Sequence, residues 1–424
     1  MQNYSPLATE IPAPVESTKL MTESSSTGVE NESEWDVVII GAGPAGGYSG
    51  LLCARSGLRT LLVEKQKFPR HKICGCCLNS RAVRFLKDAG IWSGILTAGA
   101  RRLEGIKISV RHQQLLVPLQ ESWSVSRSTL DQHLVRQAVE AGCVFNDGVS
   151  AQVSAPSSSN SQGLRRIRVG TKEVLARVVL VCDGLGHSSL DSHSELTTEV
   201  MHGSRVGLGG IINQCDASPS DHSDSKHIQT DTNRNEVIRM IVGNHGYAGL
   251  APLEDGRLNI AAAVDPEFLK SMNSPVDALL SLFEEAGELP PAGMAEMSLR
   301  GTRPLTQSTT PRSLERLLLL GDAAGYVEPF TGEGIAWALA SASLALPTAL
   351  DVCRNGWSPA AATAWERAYS RSISGKLGIC RLLSSGLRRP WMLQPMITFF
   401  RMFPSATGVL AATVNGYTSR KDAA

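Results

Sequence analysis

Three separated clusters of glycine and acid, and one run of cysteines, are the residues in this chain whose types and spacing could do chemistry. The first cluster is Gly41-Ala42-Gly43-Pro44-Ala45-Gly46, directly after the apolar run Val37–Ile40. Gly41 permits a tight turn, Gly43 lets backbone approach a pyrophosphate, and Gly46 lets a helix pack closely on a strand. Phosphates then sit on the positive end of the helix that follows. Glu64 closes the next apolar run, Leu58–Glu64. It stands about 20 residues on, where an acid grips the ribose hydroxyls of an adenosine. An acid there favours an unphosphorylated ribose, so FAD or NAD over NADP. Lys65 adjoins Glu64, and Lys65, Pro44 and Ala45 complete the expected contacts to the dinucleotide.

The second cluster is Asp183-Gly184 after Val178–Cys182, and the third is Gly321-Asp322-Ala323-Ala324-Gly325 after Leu317–Leu320. The third continues through Pro329 to Thr331-Gly332-Glu333-Gly334. Taken singly, Asp-Gly after a strand is an ordinary turn, and Asp322 alone could be a helix cap. The cysteine run lies in Phe68-Pro69-Arg70-His71-Lys72-Ile73-Cys74-Gly75-Cys76-Cys77-Leu78-Asn79. Cys74 and Lys72 are the candidate catalytic residues. A zinc or iron–sulfur site would need a second ligand pair at suitable spacing, and the other cysteines offer none, so no metal is expected. A redox-active thiol pair is a second reading, because Lys72 and His71 could lower a thiol pKa. The third is small, close-packed residues lining a cleft.

These residues need a scaffold. Short apolar runs each ending in a glycine-rich turn predict strands buried on both faces of a parallel sheet. A helix is expected near Ala45–Ser56 and another over Ser128–Ala141. Residues 102–125 and 200–265 instead show short β-like runs between polar turns, such as Ile106–Val110, Val237–Val242 and Leu258–Val264. The fold class is therefore α/β: a Rossmann-type dinucleotide-binding domain with an inserted, mostly antiparallel β-sheet as substrate domain, and a helical C-terminus. The expected domain order is a disordered leader over 1–34, nucleotide-binding segments over 35–100, 126–199 and 300–350, substrate-domain strands over 101–125 and 200–299, and a helical region over 351–424. Two polar insertions, at 154–163 and 216–235, read as surface loops.

From about Asp36 to about Leu350 the motifs, in this order, resemble the flavoprotein superfamily of aromatic hydroxylases and geranylgeranyl reductases. The resemblance implies FAD as cofactor. It implies that Asp322 hydrogen-bonds a ribityl hydroxyl and that Gly332 and Gly334 lie beside the isoalloxazine ring. A helix over Ile335–Leu346, with Pro347 as its stop, would aim its positive end at the flavin edge that carries charge when reduced. Asp183 would contact FAD and assist NAD(P)H. Arg127 matches an arginine near the pyrophosphate; a solvated arginine at a helix start is the other reading. Lys72-x-Cys74-Gly75 resembles the loop that covers the flavin in the geranylgeranyl reductases, with Cys76 and Cys77 where that loop usually has glycine.

Two reactions follow from the resemblance. One is hydroxylation of a hydrophobic or aromatic small molecule with NAD(P)H and oxygen, and the other is reduction of isoprenoid double bonds. Lys72-x-Cys74-Gly75 and the 329–334 motif lean to the reductase; the weight of the superfamily leans to the monooxygenase, which is the expectation adopted here. A flavin-binding redox sensor without catalysis is the third reading.

The bulk numbers exclude other classes. The chain has 424 residues, 42% hydrophobic and 19% charged, with a net charge of +1 and nine cysteines. That is a globular composition with no electrostatic case for nucleic acid. An odd and sparse cysteine count fits a reducing cytoplasm better than a disulfide framework. Between Arg367 and Lys421 there is no Asp or Glu, and basic residues interleave with Trp391, Met392, Met396, Ile397, Phe399, Phe400, Met402 and Phe403. Pro390, Pro395 and Pro404 are expected to break this run. It reads either as short basic helices at a membrane surface or as a helical cover over the substrate side.

Overall fold

The computed structural model describes residues 33–155, 163–191, 193–213, 237–328, 332–375, 377–378, 380 and 390–402. The leader expected before them, both polar insertions and residues 403–424 lie wholly or largely outside these residues. The chain runs β1 (Ser33–Ile40), α1 (Pro44–Arg55), β2 (Thr60–Glu64), β3 (Cys77–Leu78), α2 (Ser80–Asp88), α3 (Trp92–Thr97), β4 (Arg101–Val110) and β5 (Gln113–Ser124). It continues through α4 (Arg127–Glu140), β6 (Val144–Asp147), β7 (Ala151–Val153), β8 (Arg165–Val169), β9 (Lys172–Val181), β10 (Thr197–Val200), β11 (Val206–Ile212), β12 (Val237–Gly243), β13 (Gly246–Pro252) and β14 (Leu258–Val264). Then come α5 (Pro266–Ser271), α6 (Pro275–Ala286), β15 (Arg300–Pro304), β16 (Gln307–Thr310), β17 (Ser313–Leu314), β18 (Leu317–Leu319), β19 (Gly325–Tyr326), α7 (Gly334–Asn355), α8 (Pro359–Tyr369) and α9 (Pro390–Met402).

The first sheet has the order β17-β18-β9-β1-β2-β6, and its pairs from β18 to β6 are parallel. Its strands are apolar and buried, with α1 and α7 packed against them; Val37, Val38, Ile39, Leu62, Val178, Val179 and Leu318 have no more than 1% of their surface exposed. The register has a functional consequence. Ile40 pairs with Val63 and with Val181, and Val181 pairs with Leu319. The strands thus end in one row, and Gly41, Glu64, Asp183 and Gly321 emerge along the same carboxyl edge, the place where open α/β sheets bind ligands.

A second sheet, β15-β11-β14-β13-β12-β4-β5-β3, is antiparallel except where β12 runs parallel to β4. One face packs on α6 through Ile241, Ala248, Ile260, Leu279, Leu282 and Phe283. The other carries Ile106, Ile238, Met240, Tyr247 and Ala263. A three-stranded ribbon, β10-β16-β19, completes the described strands.

Three sequence expectations are corrected. The residues Ser33 and Glu34, assigned to the leader, belong to β1, where Ser33 pairs with Val174 and Glu34 with Leu175. Pro347 does not stop α7, which runs on to Asn355. The loss of one backbone hydrogen bond costs about 3 kcal/mol, but Thr348, Ala349, Val352 and Cys353 beyond the proline are buried in the core and hold the last turns in place. Pro395 likewise lies inside α9 rather than ending it, while Pro390 opens that helix, a position where its missing N–H is harmless.

Candidate active site

The carboxyl edge of the parallel sheet and the open face of the antiparallel sheet enclose a cleft of about 810 Å³. Every residue expected to bind the cofactor lines it except Gly46: Gly41, Gly43, Pro44, Ala45, Glu64, Lys65, Arg127, Asp183, Gly321, Asp322, Gly332 and Gly334, and with them Lys72 and Cys74. Gly46 serves the fold instead. A β-carbon there would fall 1.7 Å from the Gly41 carbonyl oxygen, so only glycine lets α1 close on the turn. Gly41 adopts φ +98, and a β-carbon on it would meet the Cys182 carbonyl at 2.4 Å.

Gly43 is different, because its bare face looks at charge. A β-carbon there would stand 3.2 Å from Nη2 of Arg127 and 3.7 Å from Nη2 of Arg70. Two guanidinium groups thus share one concavity with the glycine turn and the N-terminus of α1. Arg127 is buried, not solvated. It donates from Nε and Nη2 to the two oxygens of Asp131, at 2.9 and 2.8 Å. Arg70 Nη1 lies 3.2 Å from Asp131 Oδ2, and Arg70 Nη2 lies 3.3 Å from Glu64 Oε2. Burial works against the Arg127 charge, but Asp131 and the Cys74 sulfur beside it hold its pKa above the usual range. Glu64 Oε2 also accepts the Ala42 amide at 3.0 Å, which ties β2 to the glycine turn.

Arg70 and Asp131 carry no role in the sequence reading above. The spacing of Arg127 and Asp131, four apart on a helix, is the one signal that could have found the aspartate. Nothing local marks Arg70, which reaches the site only through the loop after β2.

The remaining groups face the middle of the cleft. Asp183 Oδ2 accepts the amide and hydroxyl of Ser189, at 3.0 and 2.9 Å, while Oδ1 has no hydrogen-bond partner among the described residues. The Gly321 amide donates to Ser341 Oγ at 2.9 Å, which fixes the Gly321-Asp322 turn to α7. Burial raises the Asp322 pKa, against the pull of Lys72 and Arg127. Lys72 reaches in beside Gly184, where a β-carbon would lie 3.1 Å from its Nζ. Its side chain is open to the cleft and walled by protein, and desolvation, aided by Arg127, lowers its pKa.

Cys74 is the thiol of lowest pKa in the cleft, pushed down to about 6 by a hydrogen bond from Cys76 and by Arg127, with burial opposing. The sequence reading gave that role to Lys72 and His71; the side chains that perform it are Cys76 and Arg127. Cys76 and Cys77 are pushed up, Cys77 to about 12, chiefly by burial for Cys77 and by the Cys74 hydrogen bond for Cys76. Cys77 touches Gly332: a β-carbon on that glycine would meet Cys77 Cβ at 3.1 Å.

The antiparallel sheet supplies the other wall. Ile106, Ile238, Met240 and Tyr247 stand with Gly207, Gly249 and Ala261 to Ala263, so the middle of the wall is apolar with room left by small residues, while Arg300, Thr302 and Arg303 of β15 make one edge of it polar. Above the same cluster lies α9. Its Ile397 is buried, Leu393 and Phe400 pack against it, and Phe399 and Met402 stay exposed. Among the described residues one helix, Gly334–Asn355, is long and apolar enough to cross a membrane, and 67% of its window is buried inside the protein.

The cradle fits FAD on its own chemistry: two buried guanidiniums around a bare glycine for a pyrophosphate, an unpartnered Asp183 oxygen, and a helix N-terminus at Gly334 for the flavin ring. Comparison with known proteins gives the class. Residues 34–361 match the family described as FAD binding domain, and the chain belongs to it. It is an FAD-dependent oxidoreductase, a class with both monooxygenase and reductase members among its relatives. The chain is 28% identical over 378 residues to the menaquinone reductase of Mycolicibacterium smegmatis, covering 85% of this chain and 86% of that protein. It is 27% identical over 360 residues to the digeranylgeranylglycerophospholipid reductase of Methanosphaerula palustris, with 81% and 84% covered. A solved flavoprotein/dehydrogenase from Cytophaga hutchinsonii superposes with a TM-score of 0.72 at 19% identity, over 92% of this chain and 94% of that one, which shows the shared mixed α/β fold.

Proposed function

We propose that this protein reduces carbon–carbon double bonds in the polyprenyl chain of a lipid-like substrate, with FAD as hydride carrier. The observation that carries the reading is the wall opposite the cradle. Its middle is apolar and built on small residues, and α9 packs on the same apolar cluster of the sheet. Such a slot suits a flexible, methyl-branched oily chain better than a polar aromatic ring. The two relatives above are named for substrates that carry polyprenyl chains, and Lys72-x-Cys74-Gly75 lies in the same cleft. For this reason the reductase displaces the monooxygenase expected from the sequence.

In this scheme Gly41, Gly43 and Gly46 shape the turn for the pyrophosphate, and Arg127 and Arg70 neutralise it. Glu64 faces the adenosine end with Lys65, while Pro44 and Ala45 pack along the phosphates. Asp183 and Asp322 accept hydroxyls of the cofactor, and Gly332 and Gly334 let the flavin ring approach α7. When bound, FAD supplies a hydride. The proton needed at the other carbon is assigned to Lys72, whose environment weakens its hold on it. Cys74 is a poor proton source at pH 7, because Cys76 and Arg127 favour its thiolate. A reduced nicotinamide is the proposed hydride source.

The experiment is anaerobic. Holoprotein reduced chemically, and separately with NADH or NADPH, is mixed with a digeranylgeranyl lipid or a menaquinone. Flavin reoxidation without oxygen, and a product heavier by two hydrogen atoms per bond, are expected. Reoxidation only in air, with a product heavier by one oxygen atom, would replace the reading with hydroxylation.

A further inference from the structure

The turn Cys74-Gly75-Cys76 has no part in the reaction proposed above, yet it folds the Cys76 backbone and thiol back onto Cys74. The Cys76 amide donates to Cys74 Sγ at 3.4 Å, and the Cys76 thiol donates to the Cys74 carbonyl at 3.6 Å. Cys76 sits at φ +56, a conformation that disfavours any side chain. The turn is fixed from both sides: Asn259 Nδ2 donates to the Cys74 carbonyl at 2.8 Å, and the Val125 amide to the Cys76 carbonyl at 3.1 Å. Both cysteines line the cleft. Cys77 is engaged elsewhere, with its Sγ 3.3 Å from where a β-carbon on Gly332 would lie.

We propose that Cys74 and Cys76 form a reversible dithiol–disulfide switch in the wall of the flavin cleft, set by small-molecule disulfides and thiols. The Cys74 thiolate attacks one sulfur of a small disulfide, whose S–S bond breaks and releases a thiolate. Cys76 then gives its proton to solvent and attacks Cys74 Sγ of the mixed disulfide, expelling the second thiolate. Two electrons leave the pair, the small disulfide becomes two thiols, and excess thiol reverses both steps. The two sulfurs are suited to unequal roles. Cys74 is held towards the thiolate at neutral pH by Cys76 and Arg127, and Cys76 is held as thiol, so one attacks and the other resolves. The charged and titratable groups facing Cys74 are Arg127, Tyr326, Cys76 and Cys77. Closing the bond removes a negative charge from beside Arg127. The inference does not rest on double-bond reduction, because it is read on the thiols themselves.

The test uses the full-length holoprotein, equilibrated across a series of oxidised and reduced glutathione, alkylated with iodoacetamide and digested with trypsin. The peptide spanning 73–81 holds all three cysteines. Under oxidising conditions it is expected to lose two of its three alkylation sites and to be lighter by two hydrogen atoms in the bridged form, and excess thiol should restore all three. Cys77→Ser should lose both of its remaining sites in the same way, Cys74→Ser should lose none, and Cys76→Ser should lose only one, as an unresolved mixed disulfide heavier by one glutathionyl group. In the reduced protein, Cys74 alkylation should fall about tenfold per pH unit below a midpoint near 6. A peptide that stays fully alkylated throughout, or a bridged form lighter by two hydrogen atoms that survives Cys76→Ser in folded protein, overturns the proposal.

Discussion

Gly43→Val tests the phosphate cradle most directly. The β-carbon alone would sit 3.2 Å from Nη2 of Arg127 and 3.7 Å from that of Arg70. The two methyl groups of valine reach about 1.5 Å further, into the space the two guanidiniums share. Arg127 has little freedom to retreat, because both Nε and Nη2 are held by Asp131. The pyrophosphate is displaced instead. Charge-assisted hydrogen bonds to such a group are worth about 1.5–3 kcal/mol each. Losing two of them costs about 3–6 kcal/mol, or roughly two to four decades of FAD affinity. Fluorescence titration of deflavinated protein with FAD gives the dissociation constant, and circular dichroism checks the fold, since φ at Gly43 is −79 and strains no side chain. A folded variant whose affinity stays within about threefold of the parent, roughly 0.65 kcal/mol, would refute the cradle.

Asp322→Ala should lower FAD affinity by roughly one to two decades, the loss of one charged acceptor at about 1.5–3 kcal/mol; unchanged affinity in the same titration would make Asp322 a turn residue only. Arg127→Leu leaves the fully buried Asp131 with Arg70 alone, so denaturant unfolding of the apoprotein should show a loss of about 3–5 kcal/mol. Adding Asp131→Asn should recover part of that loss, and additive losses would show that the pair is not coupled. Turnover should decline as pH rises through a Lys72 pKa that lies below the ordinary lysine value, because only the protonated amine gives a proton. Lys72→Met should lower kcat and abolish that alkaline limb; an intact limb removes Lys72 from the chemistry. We also propose a peripheral membrane contact by the basic C-terminal segment of an otherwise cytoplasmic protein. Anionic vesicles should float the full chain at low salt, and less so at high salt or after deletion of residues 386–424. A chain that stays in solution leaves α9 solely as a cover on the sheet.

The cofactor cradle was largely legible because its parts are local. Gly41 and Gly46 are demanded by backbone geometry within six residues, Gly43 by the close approach of a phosphate, and Glu64 ends the adjacent parallel strand. The motif around Asp322 is likewise a strand followed by a turn and a helix. In each case the steric and electrostatic reasons act over one turn of chain, so residue type and spacing suffice. The stop assigned to Pro347 failed for the opposite reason. A local rule for proline was outweighed by burial of Ala345, Ala349 and Val352 against strands far away in sequence.

Tertiary structure alone decided the rest. It placed Arg70 on Glu64 and Asp131 and left Asp183 Oδ1 without a hydrogen-bond partner among the described residues. It also stacked α9 on a sheet whose strands come from residues 101–124 and 206–264. These are contacts between groups with no common period or motif, and their energies depend on desolvation that only the assembled core provides. The sequence determined that a dinucleotide must lie along the carboxyl edge of the parallel sheet, since backbone stereochemistry permits little else there. The apolar slot facing it, and the Arg127 charge that joins Cys76 in acidifying Cys74, arise only when two sheets built from interleaved segments close on each other and exclude water between them.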